Sequence, residues 1–135
     1  MKRLSLLFLV FYLLFSHAVA QSPSWAKKAA NAVFTLKTFD KDGQLIGSTN
    51  GFFVSAQGEA VSSYLPFKGA QRAVIIDAQG KEWPVECIIG ANDMYDVAKF
   101  KVDIKKPQVL TVATTKAEQD ARAWLLPYAA AKKAP

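Results

Sequence analysis

The stretch that decides the fold begins with Val33-Phe34-Thr35-Leu36-Lys37-Thr38-Phe39 and turns at Asp40-Lys41-Asp42-Gly43. It continues through Leu45 to Ser55, turns again at Ala56-Gln57-Gly58 and returns along Glu59 to Ser63. The runs are rich in β-branched and aromatic residues, and the breaks between them have the composition of hairpin turns. Gly47 and Gly51 inside the second run point to close backbone packing or a bulge. Working outward, Tyr64 to Gly69 is irregular, and strand-like runs recur at Ala73 to Asp77, Trp83 to Ile89, Val97 to Val102, Val109 to Val112 and Ala123 to Tyr128. Asp77-Ala78-Gln79-Gly80 reads as a hairpin turn, Gly90-Ala91-Asn92-Asp93 as a loop, and Lys116 to Ala121 as a polar loop. Upstream, Trp25 to Ala30 has the makings of a short helical turn. Short strands spaced in this way, with no repeats and no long helical periodicity, predict an all-β domain, either a sandwich or a barrel.

The chain has 135 residues, 51% hydrophobic and 21% charged, with a net charge of +6. That is one domain's worth of chain, too apolar and too weakly charged to be intrinsically disordered. Its start has the three-part grammar of a secretory signal peptide: Lys2 and Arg3, the apolar run Leu4 to Phe15, then Ala18-Val19-Ala20 before Gln21. As a helix, residues 4–15 would rise about 18 Å against a hydrocarbon core of roughly 30 Å, which argues for cleavage rather than anchoring. The expected organisation is a signal peptide at 1–20, a polar lead-in at 21–31, a β-domain at 32–128 and a tail or truncation point at 129–135. The expected location is secreted or periplasmic, with no stable membrane span after cleavage.

Cleavage removes the chain's one histidine, His17. A mature chain without imidazole lacks the usual general base, metal ligand and pH switch. The one cysteine, Cys87, lies in Val85-Glu86-Cys87-Ile88-Ile89 and reads as a small buried hydrophobe, or as a thiol whose partner lies in sequence absent from this chain.

Three segments, in order, resemble the N-terminal barrel of the trypsin-like serine proteases, closest to the HtrA-type branch. Gly47-Ser48-Thr49-Asn50-Gly51-Phe52-Phe53-Val54-Ser55 with Gly58-Glu59-Ala60-Val61 is similar to that family's G-S-G-F-hydrophobic-V-S hairpin. Val61 to Ala70 resembles its V-T-N-x-H-V-V-x-G-A segment, and Tyr95-Asp96-Val97-Ala98-Lys99-Phe100-Lys101-Val102 its D-hydrophobic-A-x-L-K segment. Gly80-Lys81-Glu82-Trp83-Pro84-Val85 looks like the hairpin between them. The resemblance spans roughly residues 31–128 and implies an antiparallel β-barrel of about six or seven strands.

It also places Asp96 at the catalytic Asp position and Leu65 at the catalytic His position. Leucine takes up no proton, and the Asp of a triad acts by orienting the imidazole and stabilising its charged form. No G-x-S-G nucleophile pattern occurs in the sequence, so the resemblance implies an incomplete or degenerate member. Asp96 is then either a remnant of the triad or a carboxylate that caps a loop. A Ser-Lys dyad drawn from Ser62, Ser63 and Lys68 would need a buried lysine of depressed pKa.

Other chemistry finds little support. The acids Asp40 and Asp42, and Asp93 and Asp96, do not extend into a calcium-loop pattern, and no phosphate-binding glycine motif is present. No metal or other cofactor is expected. The basic residues form pairs, Lys27-Lys28, Lys105-Lys106 and Lys132-Lys133, rather than a block, so no nucleic-acid partner is expected either. The aromatics Phe34, Phe39, Phe52, Phe53, Phe67, Trp83, Phe100 and Trp124 read mainly as core. The expected function is a secreted, non-catalytic protease-like module that binds peptide or protein. Its Leu65/Asp96 face would be open or apolar and would meet a second barrel or another chain. The alternatives are a fragment of a longer active serine endopeptidase and an unrelated secreted β-barrel adaptor.

Overall fold

A computed structural model describes residues 23–125. The signal-peptide reading of residues 1–20 and the tail at 129–135 lie outside the described residues. After helix α1 (Ser24–Ala30) come six strands: β1 (Val33–Phe39), β2 (Leu45–Phe53), β3 (Glu59–Ser62), β4 (Arg72–Ile76), β5 (Glu82–Asn92) and β6 (Val97–Val102). A 3₁₀ turn, Leu65–Phe67, separates β3 from β4. The strands close into an antiparallel barrel in the order β1-β2-β3-β6-β5-β4, with β4 returning to β1. No helix among the described residues is long and apolar enough to cross a membrane.

Alternation of side chains decides which residues fill the barrel. On β1, Phe34, Leu36 and Thr38 are fully buried; on β6, Ala98, Phe100 and Val102 are. Four rings run through the centre. Phe53 lies 4.9 Å from Phe34, Phe34 lies 6.1 Å from Phe100, and Phe100 lies 5.2 Å from Phe67. Thr38 is the polar member of this interior, and its hydroxyl donates to the Pro66 carbonyl at 2.6 Å. That bond ties the 3₁₀ turn to β1.

Two hairpins use one device. Asp40 Oδ1 accepts the amides of Asp42 and Gln44, both at 2.9 Å. Asp77 Oδ1 likewise accepts those of Gln79 at 2.9 Å and Lys81 at 2.8 Å, while its Oδ2 accepts the Trp83 indole at 2.7 Å. Such carboxylate turns mimic a backbone turn and fix where each strand restarts.

Four sequence expectations need correction. Cys87 is exposed rather than core: the β4 pairing of β5 ends at Pro84, and every residue from Glu86 to Asn92, held by β6 on one side, is exposed. Gly90-Ala91-Asn92 is strand and not loop, because these residues pair with Lys99, Ala98 and Val97 of β6. Val109 to Val112 is not a strand: Leu110 donates one amide bond to the Phe53 carbonyl at 2.9 Å, with no ladder around it. Residues 123–125 form no strand, and the remainder of that expected strand lies outside the described residues. Trp124 is exposed and meets Trp25 edge-on, with ring centroids 6.0 Å apart.

Candidate functional site

The end of β3, the 3₁₀ turn and the start of β6 converge because β3 and β6 are neighbours, with Ser62 paired to Ala98. This pairing brings Leu65 and Asp96 together across 31 positions of sequence. Asp96 Oδ1 accepts the amides of Leu65 at 2.7 Å and Tyr64 at 2.8 Å. Its other oxygen accepts the Ser63 hydroxyl in a short contact. The backbone of Asp96 is left-handed, with φ of 50°, a conformation that aspartate tolerates better than most residues because its side chain bonds locally. Asn92 Oδ1 accepts the Tyr95 amide at 3.1 Å and secures the turn between β5 and β6.

The Ser63 hydroxyl first, and then the Leu65 amide, hold the Asp96 carboxyl below the usual carboxylate range. An ionised acceptor strengthens each of these hydrogen bonds. A group with a lowered folded pKa contributes stability above its unfolded pKa and loses it as the pH falls through the folded value. Thermal melts of the wild type should therefore fall more steeply than those of Asp96→Asn between about pH 5 and pH 2. The two curves should differ most at neutral pH and draw together in acid. Parallel curves across that range would contradict the role given to the carboxylate.

Lys68 has no dyad chemistry. Its ammonium pairs with Asp93 and lies 5.8 Å from the centroid of the Tyr64 ring. The hydrogen bond to Asp93 raises its pKa, the opposite of what a lysine base requires. Ser62 Oγ donates to the neighbouring Ser63 carbonyl at 2.9 Å, and the Ser63 hydroxyl is committed to Asp96. Ser62 thus meets only a backbone carbonyl, and Ser63 meets a carboxylate whose lowered pKa makes it a weak proton acceptor.

The rim of the site is apolar and open. Leu65 is 63% exposed, Met94 85%, Tyr95 74% and Val97 43%. Sequence reasoning found Leu65 and Asp96 through the resemblance but missed Ser63 as the partner of the second carboxylate oxygen. It also missed the Lys68–Asp93 pair. Neither leaves a local signal, since both join ordinary surface residue types far apart in the chain. Among the described residues, no group of three His, Cys, Asp or Glu side chains could hold a metal ion.

No family model matches the chain, and no curated protein matches it. Solved structures do. The chain is similar to the HtrA-type protease AlgW with a tripeptide, at 24% identity and a TM-score of 0.58, covering 67% of this chain and 30% of that one. It is similar to a variant of AlgW with a tripeptide at 23% identity and a TM-score of 0.57, covering 65% and 28%. The chain thus spans less than a third of the length of either. The six closed strands have the barrel fold of the trypsin-like proteases, in the form carried by the HtrA type.

Proposed function

We propose that this protein is an exported, non-catalytic member of the trypsin-like fold that binds peptide or protein on its Leu65/Asp96 face. One observation carries the reading: an isobutyl side chain stands where the resemblance puts the general base. The carboxylate that would orient such a base is engaged with Ser63 and two backbone amides. A carboxylate of lowered pKa is too weak a base to activate the serine hydroxyl it meets, and without a base of near-neutral pKa that hydroxyl is a weak nucleophile at neutral pH. The exposed apolar rim of Leu65, Met94, Tyr95 and Val97 supports a docking role. The signal-like residues 1–20 support export, to the periplasm or beyond.

The test is hydrolysis. The purified protein at neutral pH should leave casein intact and take up no fluorophosphonate label, with both signals at the level of buffer. Turnover above buffer, or a labelled serine, would overturn the non-catalytic reading. A second reading, a longer serine endopeptidase that includes these residues, is favoured by the small share of the HtrA-type structures that the chain spans. It requires a base other than the one Leu65 replaces, and labelling of the protein isolated from its natural source would support it.

A further inference from the structure

The wall of the barrel is parted between β4 and β5. These strands pair at Val74 with Pro84, Ile75 with Trp83 and Ile76 with Glu82, and no further. Pro84 has no amide hydrogen to extend the ladder, and its carbonyl accepts the Asp103 amide at 3.2 Å. Beyond it, among the described residues, Val85 to Asn92 pair only with β6, while Ala73 and Arg72 pair only with β1. Along that length, among the described residues, the side of β5 turned away from β6 is an open strand edge.

Such edges are usually blunted by lysine, proline or a bulge. Cys87-Ile88-Ile89-Gly90-Ala91-Asn92 carries no charge and no proline. Its protection is limited to two register shifts against β6, at Val85/Cys87 and Ile88/Gly90. A cavity of about 430 Å³ opens beside this edge, with Phe67, Val74, Val85 and Ile88 among its apolar lining and Glu82 and Glu86 among its charged lining. The cation that also lines it, Arg72, lies over the Phe39 ring, 4.1 Å from the ring centroid. The cavity therefore offers apolar space together with two carboxylates.

We propose that the open edge of β5 takes up an extended peptide segment of another protein as an added strand. An apolar side chain of that peptide fills the cavity, and a lysine or arginine faces Glu82 and Glu86. Backbone hydrogen bonds supply affinity in this mode of recognition, and a pocket beside the edge supplies selectivity. The charge pattern argues against a second copy of the chain as occupant, because Val85 to Asn92 contains no basic residue to meet those carboxylates. The inference does not rest on the non-catalytic reading: it concerns a different surface and holds whether or not the protein hydrolyses casein.

Two peptides carrying fluorescein on the N-terminus through an aminohexanoyl spacer test it, one of sequence Lys-Val-Thr-Val-Lys-Val-amide and the same peptide with glutamate for lysine. Fluorescence anisotropy with the purified protein should give the lysine peptide a Kd lower by about fivefold. Glu86→Lys should reverse the preference. Ile88→Lys, which places a charge on the edge, should weaken binding by about tenfold. On the unmutated protein, adding the lysine peptide should slow amide hydrogen exchange within residues 86–92 and leave β1 unchanged. Equal affinity for the two peptides, or no added protection at 86–92, would overturn the proposal. So would a dimer in sedimentation that Ile88→Lys abolishes, because it would assign the edge to a second copy.

Discussion

Replacing Phe100 by Ala is expected to destabilise the barrel by about 3–5 kcal/mol, in the range for deleting a fully buried ring. A domain of this size commonly has only about 5–15 kcal/mol of stability in total. The loss has a traceable route. Phe100 is fully buried and is the link between Phe34 on β1 and Phe67 in the 3₁₀ turn. Removing its ring leaves a void in the barrel and takes away two aromatic contacts, each contributing about 0.5–1.5 kcal/mol beyond area burial. It also withdraws the support beneath Phe67, two residues after Leu65, so the turn that presents Leu65 should loosen. Urea unfolding should show a midpoint far below that of the wild type with a similar slope. Phe100→Leu, which refills most of the space, should lose much less. A Phe100→Ala midpoint close to wild type would mean that the four-ring stack is not the centre of the fold.

Gly51→Ala should be nearly as damaging although it adds a single methyl group. A Cβ at this position would lie 2.6 Å and 2.7 Å from the Phe34 ring and 2.7 Å from the Val61 carbonyl oxygen. Gly51 pairs with Phe34 on one side and Ser62 on the other, so the ring of Phe34 rests against bare backbone. The carbonyl belongs to the adjacent strand and cannot rotate away. Forcing extra volume into a packed interior costs about 1–3 kcal/mol, and the backbone contact places this case at the upper end. The ring contact can be separated from the carbonyl contact. In a Phe34→Leu background the far ring atoms are gone, and Gly51→Ala should there cost about 1 kcal/mol less than alone. Strict additivity of the two substitutions in urea unfolding would show that the ring is not what excludes the methyl group.

The hairpins at Asp40–Gly43 and Asp77–Gly80 were legible because a carboxylate turn is a local event, made by residues within four positions of each other. The strands of the barrel wall were legible for a similar reason, since β-rich runs between turns leave few other folds for a chain of this length. What could not be read depended on distant partners. Cys87, Ile88 and Ile89 look alike whether their strand has a neighbour on both sides or on one, and only the end of the β4 pairing at Pro84 decides between the two. Val109 to Val112 has strand composition, but a strand also requires a neighbour with free ladder positions, and composition carries no record of one. The contact between Leu65 and Asp96 was reached through the family resemblance, whereas the bond from Ser63 to Asp96, across 33 positions, was not reached at all.

The three hydrogen bonds accepted by Asp96 give that aspartate a reason to exist that owes nothing to proteolysis. Substituting it would release the end of β3 and the start of the next turn together, so the architecture by itself would retain an acid there long after any enzymatic duty had lapsed. Its presence in this chain is accounted for by the turn alone and is no token of hydrolysis.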